Sequence, residues 1–148
     1  MVEVVSNSPA QTEEFARKLG SVLSGGETVA YFGGLGMGKT RFTAGLAKGM
    51  GISADVSSPT FSLVHEYRGE IPLCHFDMYR ITTFEDLCTT GFFDYIDNGS
   101  VLAIEWSENV ENALPEENLI TIEFLRGDDD DSRILRLSGD SVYEDSWR

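Results

Sequence analysis

Short apolar segments bounded by glycine, proline and polar turns alternate along this chain with segments whose apolar residues recur at helical spacing. Residues 28–32 form an apolar, β-branched run, which predicts a buried strand. Phe42, Leu46 and Met50 recur at every fourth position and predict a helix over 41–50. The alternation of these two patterns predicts an α/β fold.

The remaining elements follow from the same spacing and from the turn residues between them. A short edge strand is predicted over 2–5 and a helix over 9–23. The turn at 68–70 is too short for a parallel crossover, so the strands predicted over 61–67 and 71–79 form an antiparallel hairpin. The other predicted elements are short helices over 84–88, 92–96 and 109–114 and strands over 101–104, 119–125 and 133–137.

The segment between the first buried strand and its helix matches every fixed position of the phosphate-binding pattern G-x-x-x-x-G-K-[ST]. Its residues are Gly33-Gly34-Leu35-Gly36-Met37-Gly38-Lys39-Thr40. Glycines let backbone N–H groups point at the phosphates of a nucleoside triphosphate, and the helix N-terminus adds partial positive charge. Lys39 would reach the β- and γ-phosphates, and Thr40 would bind Mg²⁺.

The alternative to a phosphate site is a glycine-rich turn with an exposed lysine. The strand before the loop and the helix after it favour the phosphate site, because the pattern requires that context. The chain is therefore predicted to adopt a P-loop NTPase-like, three-layer α/β/α fold with a mixed, partly antiparallel central sheet.

Two carboxylates that end predicted strands are candidates for metal binding and catalysis. Asp77 lies late in strand 71–79, and Glu105 directly follows strand 101–104. Mg²⁺ bound with a nucleotide is held by the loop hydroxyl and one or two acids. Either residue can instead be a solvated strand end, and the sequence leaves open which one binds the metal. His75 shares a strand face with Asp77, where it would orient a carboxylate or be satisfied in the core.

Four further residues are candidates for nucleotide contact, each with a structural alternative. Thr12 lies early in the first helix and would approach adenine or serve only in capping and surface hydrogen bonds. Thr60 lies in a loop long enough to shift, as a γ-phosphate sensor, or in a rigid turn. Trp106 would pack near the nucleotide or in the core. Arg133 would contact the base or a phosphate, or form a cross-strand ion pair.

Composition limits the number of domains and the classes of partner. The chain has 148 residues, 41% of them hydrophobic, so we expect one domain over 1–138 and a loose, weakly apolar tail over 139–148. Twenty-five acidic against 11 basic residues give a net charge of −14, which disfavours direct binding to DNA or RNA. No apolar run approaches the length of a membrane span, so no membrane partner is expected. Cys74 and Cys88 show no metal-ligand spacing and suit a cytoplasmic protein with reduced thiols.

Several short motifs follow the phosphate-binding loop in an order that is typical of one family. They are Ser58-Pro59-Thr60-Phe61, His75-Phe76-Asp77-Met78-Tyr79-Arg80, Glu85-Asp86-Leu87 with Gly91, and Glu105-Trp106-Ser107-Glu108. Together with the loop, these motifs resemble the TsaE family, formerly YjeE, the bacterial ATPases of tRNA threonylcarbamoyladenosine biosynthesis. The resemblance extends over residues 12–133 and so covers most of the chain.

The resemblance implies a protein that uses ATP and Mg²⁺ and acts on a heterodimer of TsaB and TsaD. TsaD transfers the threonylcarbamoyl group to adenosine 37 of tRNA, and ATP hydrolysis resets the complex, so this protein would meet tRNA only through its partners. The implied functional residues are the phosphate lysine Lys39, the magnesium ligands Thr40 and Glu105, the switch residue Thr60, the hydrolytic acid Asp77 and the nucleotide-contacting Arg133. One position departs from the family, because Gly34 stands where an aspartate is usual.

Three classes of function compete on the sequence: an ATPase that serves tRNA modification, a small-molecule kinase, and a nucleotide-gated interaction module with negligible turnover. A kinase commonly carries an arginine-rich lid, and the sequence shows no such segment. A GTPase is disfavoured because no N-K-x-D sequence occurs. The short, acidic chain suits an ATPase that hydrolyses slowly alone and works through partner proteins.

Overall fold

Strands and helices alternate along most of the chain. The computed structural model describes residues 1–34, 38–53, 55–56 and 64–148. Within these ranges the strands are β1 (Val2–Ser6), β2 (Thr28–Phe32), β3 (Val64–Tyr67), β4 (Leu73–Asp77), β5 (Val101–Glu105), β6 (Leu119–Arg126) and β7 (Arg133–Ser138). The helices are α1 (Pro9–Gly20), α2 (Lys39–Gly49), α3 (Phe84–Thr89), α4 (Phe92–Asp97) and α5 (Ser141–Glu144), with 3₁₀ segments at Ser107–Ala113 and Asp145–Trp147.

The described strands form one mixed sheet in the order β1-β7-β6-β2-β5-β4-β3. At its centre β2 lies between β5 and β6 and is parallel to both, and β4 is parallel to β5. The pairs β1–β7, β6–β7 and β3–β4 are antiparallel. The predicted mixed sheet and the antiparallel pairing across 68–70 are therefore confirmed. Because parallel strands end at the same edge, the loops after β2, β4 and β5 all leave from one edge of the sheet.

Alternate side chains along the strands enter two hydrophobic clusters, one on each face of the sheet. On β5, Val101 and Ala103 join the cluster that includes α1 and α2, whereas Leu102 and Ile104 join the cluster that includes α3 and α4. All four side chains are fully buried, which is expected of a central strand covered on both faces. The predicted three-layer α/β/α arrangement is confirmed.

Helices α1 and α2 approach closely because α2 carries glycines where α1 crosses it. A Cβ atom added at Gly45 would lie 2.1 Å from the carbonyl oxygen of Glu13, and one added at Gly49 would lie 2.1 Å from that of Arg17. A larger residue at either position would push the helices apart, since protein interiors are close-packed. This contact fixes the position of α2, whose first turn ends the predicted phosphate-binding loop.

Most predicted elements are present, with shifted ends. Helix α2 begins earlier than predicted, at Lys39, and α1 ends earlier, at Gly20. The helix predicted over 109–114 is a 3₁₀ segment that begins at Ser107. Of the strand predicted over 61–67, the structure describes the last four residues, and they form β3. None of the helices in the described ranges is long and apolar enough to cross a membrane.

The C-terminal residues 139–148 are not the loose tail that the sequence predicted. Trp147 is only 6% exposed, and its indole N–H donates to the carbonyl oxygen of Phe15 at 2.8 Å. The Tyr143 hydroxyl donates to the buried carboxylate of Glu27 at 3.0 Å. Two aromatic side chains hold this polar segment in place, because each buries a large ring while its polar atom finds a partner.

Trp147→Ala should destabilise the fold, because the indole ring packs against Phe15 and Phe42. Loss of a buried aromatic side chain is expected to lower the free energy of unfolding by about 3 kcal/mol. Urea denaturation followed by circular dichroism measures this change. Val142→Ala is the control, since that side chain is 53% exposed, and it should change stability by less than about 0.5 kcal/mol. Equal unfolding midpoints for the two variants would contradict the docking of the C-terminal segment.

Candidate functional site

The loop after β2 begins at a glycine whose place a larger residue cannot take. Gly33 has a φ of +134°, and a Cβ atom added there would lie 2.6 Å from the carbonyl oxygen of Phe124 on β6. Gly38 precedes α2 with a φ of 89°, in the left-handed region that favours glycine. These backbone angles explain why glycine stands at the first position of the predicted phosphate-binding loop and directly before its lysine. The other predicted contacts in the loop, Leu35, Gly36 and Met37, lie outside the described residues.

Lys39 is the first residue of α2 and is only 6% exposed. Its Nζ donates to the carbonyl oxygen of Gly33 at 2.7 Å and lies 5.6 Å from the ring centroid of Trp106. A buried ammonium group needs such partners, because an uncompensated buried charge is costly. The amine therefore joins the two ends of the loop and is not the exposed lysine of the alternative interpretation. Thr40 follows in the first turn of α2 and is half-buried.

Thr12 supports the end of the loop from α1. Its side chain is 3% exposed, its hydroxyl lies 2.7 Å from that of Ser6, and its methyl carbon is 3.9 Å from where a Cβ of Gly38 would be. Thr12 is thus a buried support with an engaged hydroxyl, rather than a capping or surface residue, and its contact with adenine stays a prediction. No sequence pattern marks Ser6, because its bond to Thr12 depends on how β1 and α1 pack together.

A second buried hydroxyl pair joins β2 to α2. Tyr31 Oη and Thr43 Oγ1 are 2.8 Å apart, and the Thr43 hydroxyl also donates to the carbonyl oxygen of Lys39 at 2.9 Å. Burial raises the pKa of Tyr31, and the negative charge of Glu105 adds to the shift while the hydrogen bond with Thr43 opposes it. The phenol therefore stays protonated and holds the first turn of α2 against the sheet.

Asp77 and Glu105 lie side by side at the carboxyl ends of β4 and β5. They are register partners in the parallel pairing of two strands that lie about 4.8 Å apart. Glu105 has a side chain that is 12% exposed, and Asp77 accepts a hydrogen bond from the backbone N–H of Tyr79 at 2.9 Å. Because β5 also pairs with β2, the two predicted acids lie at the edge from which the predicted phosphate-binding loop leaves.

His75 contacts Glu105 and not the acid on its own strand. It is fully buried, and its Nε2 lies 2.8 Å from Glu105 Oε2, in a contact whose angles fall short of a hydrogen bond. Its Nδ1 has no hydrogen-bond partner in the described part of the chain. The contact favours the interpretation in which His75 orients a carboxylate. The sequence placed His75 on the same strand face as Asp77. In the structure the neighbouring parallel strand β5 brings Glu105 closer to the His75 ring.

Trp106 has a left-handed backbone, with φ 59° and ψ 42°. This conformation costs a non-glycine residue about 1–2 kcal/mol, and such strain concentrates at functional sites. Its ring packs partly on the cluster below α3 and α4, reaches Lys39, and lies 5.0 Å from the ring of Tyr79. Trp106 therefore packs partly on the core, as one of the two sequence alternatives expected, and its contact with the nucleotide stays a prediction.

Asn109 ties the segment after Glu105 to the segment after Asp77. Its side-chain amide donates to the carbonyl oxygens of Met78 at 2.8 Å and Tyr79 at 3.3 Å. No motif marks Asn109, because its partners are about 30 residues away in sequence. Sequence reasoning missed this link for the same reason that it missed Ser6.

Arg133 begins β7 at the same edge of the sheet, two strands from β2. Its Nη1 donates to the carbonyl oxygens of Asp130 at 2.7 Å and Ser132 at 2.8 Å. These bonds hold the guanidinium on the acidic β6–β7 loop, and its contact with the nucleotide remains a prediction. Thr60, the predicted γ-phosphate sensor, lies outside the described residues.

The oxygen atoms at this edge fit a magnesium ion that is held jointly with a nucleotide. Thr40, Asp77 and Glu105 offer hydroxyl and carboxylate oxygens, the ligand type that Mg²⁺ prefers. Glu105 Oε2 is buried against His75 Nε2, which leaves Oε1 as the carboxylate oxygen for a metal ion. The described ranges contain no group of three His, Cys, Asp or Glu residues that could hold a metal ion. One or two protein acids leave positions for water and phosphate oxygens, as is usual for Mg²⁺.

Gly33→Ala should destabilise the protein, whereas Gly34→Ala should not. At Gly33 the left-handed backbone alone costs alanine about 1–2 kcal/mol, and its methyl group would collide with the backbone of Phe124. At Gly34 no described atom beyond the chain neighbours lies within 4 Å, so a side chain, including the aspartate usual in the family, has room. Thermal denaturation compares the two variants, and equal melting temperatures would contradict the assigned role of Gly33.

Comparison with known proteins places this fold and site in a family. The family described as "Threonylcarbamoyl adenosine biosynthesis protein TsaE" matches residues 6–135. The tRNA threonylcarbamoyladenosine biosynthesis protein TsaE of Bacillus subtilis (strain 168) is 38% identical over 139 residues, which are 93% of this chain and 85% of that protein. The TsaE of Treponema pallidum (strain Nichols) is 39% identical over 112 residues, which are 76% of this chain and 83% of that protein.

A solved structure agrees with these relatives. The crystal structure of YdiB from Bacillus subtilis superposes with a TM-score of 0.79 at 30% identity and covers 98% of this chain and 90% of that one. The resemblance inferred from the motifs is thus confirmed over the range that carries the loop, both acids and Trp106. This chain belongs to the TsaE family, whose members are proteins of tRNA threonylcarbamoyladenosine biosynthesis.

Proposed function

We propose that this protein binds ATP and Mg²⁺ in the loop over 33–40 and hydrolyses the ATP during synthesis of threonylcarbamoyladenosine at adenosine 37 of tRNA. It acts in the cytoplasm on a TsaB–TsaD heterodimer, in which TsaD is the transferase, and hydrolysis resets that complex between turnovers. The tRNA contacts the partners rather than this acidic chain, and neither DNA nor a membrane is a partner. Membership of the TsaE family supports the pathway.

One observation carries the nucleotide chemistry: the buried amine of Lys39 lies at the start of α2, beside a sheet edge that carries Asp77 and Glu105. A positive charge at a helix N-terminus favours phosphate, and paired carboxylates near it favour a divalent cation. Neither feature stabilises the hydrophobic core. A buried lysine and two adjacent acids each lower the stability of the fold unless they have charged partners. A nucleotide with its metal supplies partners for both.

Each residue has a distinct task in this proposal. Lys39 exchanges the neutral carbonyl of Gly33 for phosphate oxygens, a gain because charge-assisted hydrogen bonds are about twice as strong as neutral ones. Thr40 and Glu105, with Asp77 as the other candidate, hold Mg²⁺, which when bound offsets the negative charge of the phosphates. His75 limits the rotation of the Glu105 carboxylate from the buried side. Thr60 senses the γ-phosphate, and Thr12, Trp106 and Arg133 border the nucleotide.

We expect slow hydrolysis by the isolated protein and a changed rate in the complex. The segments that directly follow Asp77 and Glu105 carry exposed side chains such as Tyr79, which is 60% exposed, so a bound partner can move them. The family assignment favours this function over a small-molecule kinase. The remaining alternative, a nucleotide-gated module without turnover, differs in one measurable respect, because it releases no phosphate.

Reconstitution of tRNA modification tests the proposed function. Purified TsaB–TsaD, a threonylcarbamoyl donor and unmodified tRNA should give many turnovers with wild-type protein and about one turnover per complex without it. Lys39→Ala should behave as if no protein were added, because it loses the charge that binds the β- and γ-phosphates. Modified nucleoside is quantified by mass spectrometry over time, together with phosphate release.

The control for that experiment is Lys48→Ala. Lys48 lies on the same helix, is 62% exposed and pairs with Glu13 on the surface, so its loss should leave the product yield unchanged. If the yield is the same with and without the wild-type protein, the proposed role in modification is wrong. If Lys39→Ala supports full yield, the nucleotide site is wrong.

Glu105→Gln should reduce Mg²⁺-dependent ATP hydrolysis by about 100-fold while changing ATP affinity much less, because the amide keeps the shape of the side chain but loses its charge. Single-turnover rates across a Mg²⁺ titration, with affinity from calorimetry, separate the two effects. Asp77→Asn is measured in parallel, and Glu116→Gln, at an exposed acid, is the control. If Glu105→Gln keeps the full rate and Asp77→Asn loses it, Asp77 is the metal ligand.

A further inference from the structure

A surface cavity of about 310 Å³ lies between the segment that follows Asp77 and the segment that follows Glu105. One wall is formed by residues 81–84 with Leu87, and the other by residues 108–113. The helix α3 begins at this wall, so Phe84 lies at the rim of the cavity. The cavity is therefore built from the continuations of the two strands that carry the candidate metal acids.

Two exposed aromatic rings mark this surface. Phe84 is 68% exposed and Phe93 is 36% exposed, and their ring centroids are 5.7 Å apart. Single exposed apolar side chains are common, but a pair in contact beside a cavity is the arrangement found at protein interfaces. We call Phe84, Phe93, Glu108, Glu111 and the cavity between them the aromatic–acidic surface.

The charge of this region limits what can bind there. Residues 79–117 contain nine acidic residues and one basic residue, Arg80, so they carry more than half of the net charge of −14. Glu108 and Glu111 line the cavity itself, Glu85 adjoins Phe84, and Asp94 adjoins Phe93. The nine acids are Glu85, Asp86, Asp94, Asp97, Glu105, Glu108, Glu111, Glu116 and Glu117.

The surface is also connected to the nucleotide site. Asn109, in one wall, donates to the backbone carbonyls of Met78 and Tyr79, which lie just before the other wall in sequence. The Tyr79 ring contacts Trp106, whose ring in turn lies over the amine of Lys39. A group bound in the cavity would thus contact both the segment that follows Asp77 and the segment that follows Glu105.

We propose that the aromatic–acidic surface binds a basic segment of a protein partner, which places an apolar side chain in the cavity and its lysines or arginines against the acidic rim. Attraction between the basic residues of the partner and the acidic rim orients the partner on the surface, while the aromatic pair and the cavity supply the apolar contact. Occupancy alters ATP hydrolysis through the link from Asn109 and Tyr79 to Trp106. A second copy of this chain would bring the same acids face to face, and nucleic acids and anionic membranes carry the same sign of charge, so all three are disfavoured.

The test uses the intact protein and purified TsaB–TsaD heterodimer as the probe, and in that choice of partner the inference rests on the proposed function. Phe84→Ala should weaken binding at least about tenfold, since truncation of a central aromatic anchor has effects of this size. Glu108→Lys with Glu111→Lys should weaken it to a similar extent and should reduce its dependence on ionic strength. Biolayer interferometry at two salt concentrations measures both.

Matched controls separate the surface from general effects. Glu116→Lys with Glu117→Lys makes the same change in net charge at exposed residues that do not line the cavity, and should keep wild-type affinity. Val142→Ala removes an exposed apolar side chain elsewhere and should do the same. Phe84→Ala should leave the basal ATPase rate and the melting temperature unchanged and abolish the change in rate that the heterodimer causes.

The outcomes distinguish the surface from the proposed function. If wild-type protein and both surface variants bind the heterodimer equally, the surface is not the docking site, and the partnership stands. If wild-type protein does not bind at all, the partnership is wrong and the inference fails with it. If sedimentation shows a wild-type dimer that Phe84→Ala abolishes, the occupant is a second copy and the proposed basic partner is wrong.

Discussion

The parallel alignment of β2, β5 and β4 is the constraint on which the rest of this structure depends. Because the three strands run in the same direction and pair in order, their carboxyl ends lie at one edge. The predicted phosphate-binding loop leaves β2 there, and Asp77 and Glu105 end their strands there. A reversal of β4 or β5 would move one acid to the opposite edge of the sheet, a strand length away. Strand direction alone therefore makes the loop and the acids neighbours.

Several polar groups at this edge are buried with incomplete partners. Glu105 Oε2 and both ring nitrogens of His75 make no hydrogen bond within the described residues, and Trp106 holds a strained backbone beside them. Buried polar atoms are almost always paired in folded proteins, so each exception costs stability and needs an explanation. His75 Nε2 and Glu105 Oε2 lie 2.8 Å apart and partly satisfy each other. Under the proposed function, a nucleotide with its metal would add a charged partner for the Glu105 carboxylate.

The two helical layers differ in how tightly they are built. On one face, glycines let α1 and α2 approach closely, and Trp147 closes the cluster from the C-terminus. On the other face lie the short helices α3 and α4 and a 3₁₀ segment, with aromatic rings exposed and acids around them. The tightly packed layer fixes the position of α2, which begins at Lys39. The other layer follows β4 and β5, the strands that carry Asp77 and Glu105, and includes the surface proposed above as a docking site.

The sequence by itself determined the parts of this protein whose physical causes are local. Gly33 and Gly38 were predicted from the loop pattern. The strand and helix around the loop were predicted from runs of apolar residues, and Asp77 and Glu105 from their places at strand ends. Tertiary structure alone decided that His75 contacts Glu105, that Asn109 joins two distant segments, and that the tail is docked through Trp147. These contacts join residues between 30 and 132 positions apart in sequence. They depend on how distant elements pack together, so no local sequence pattern predicts them.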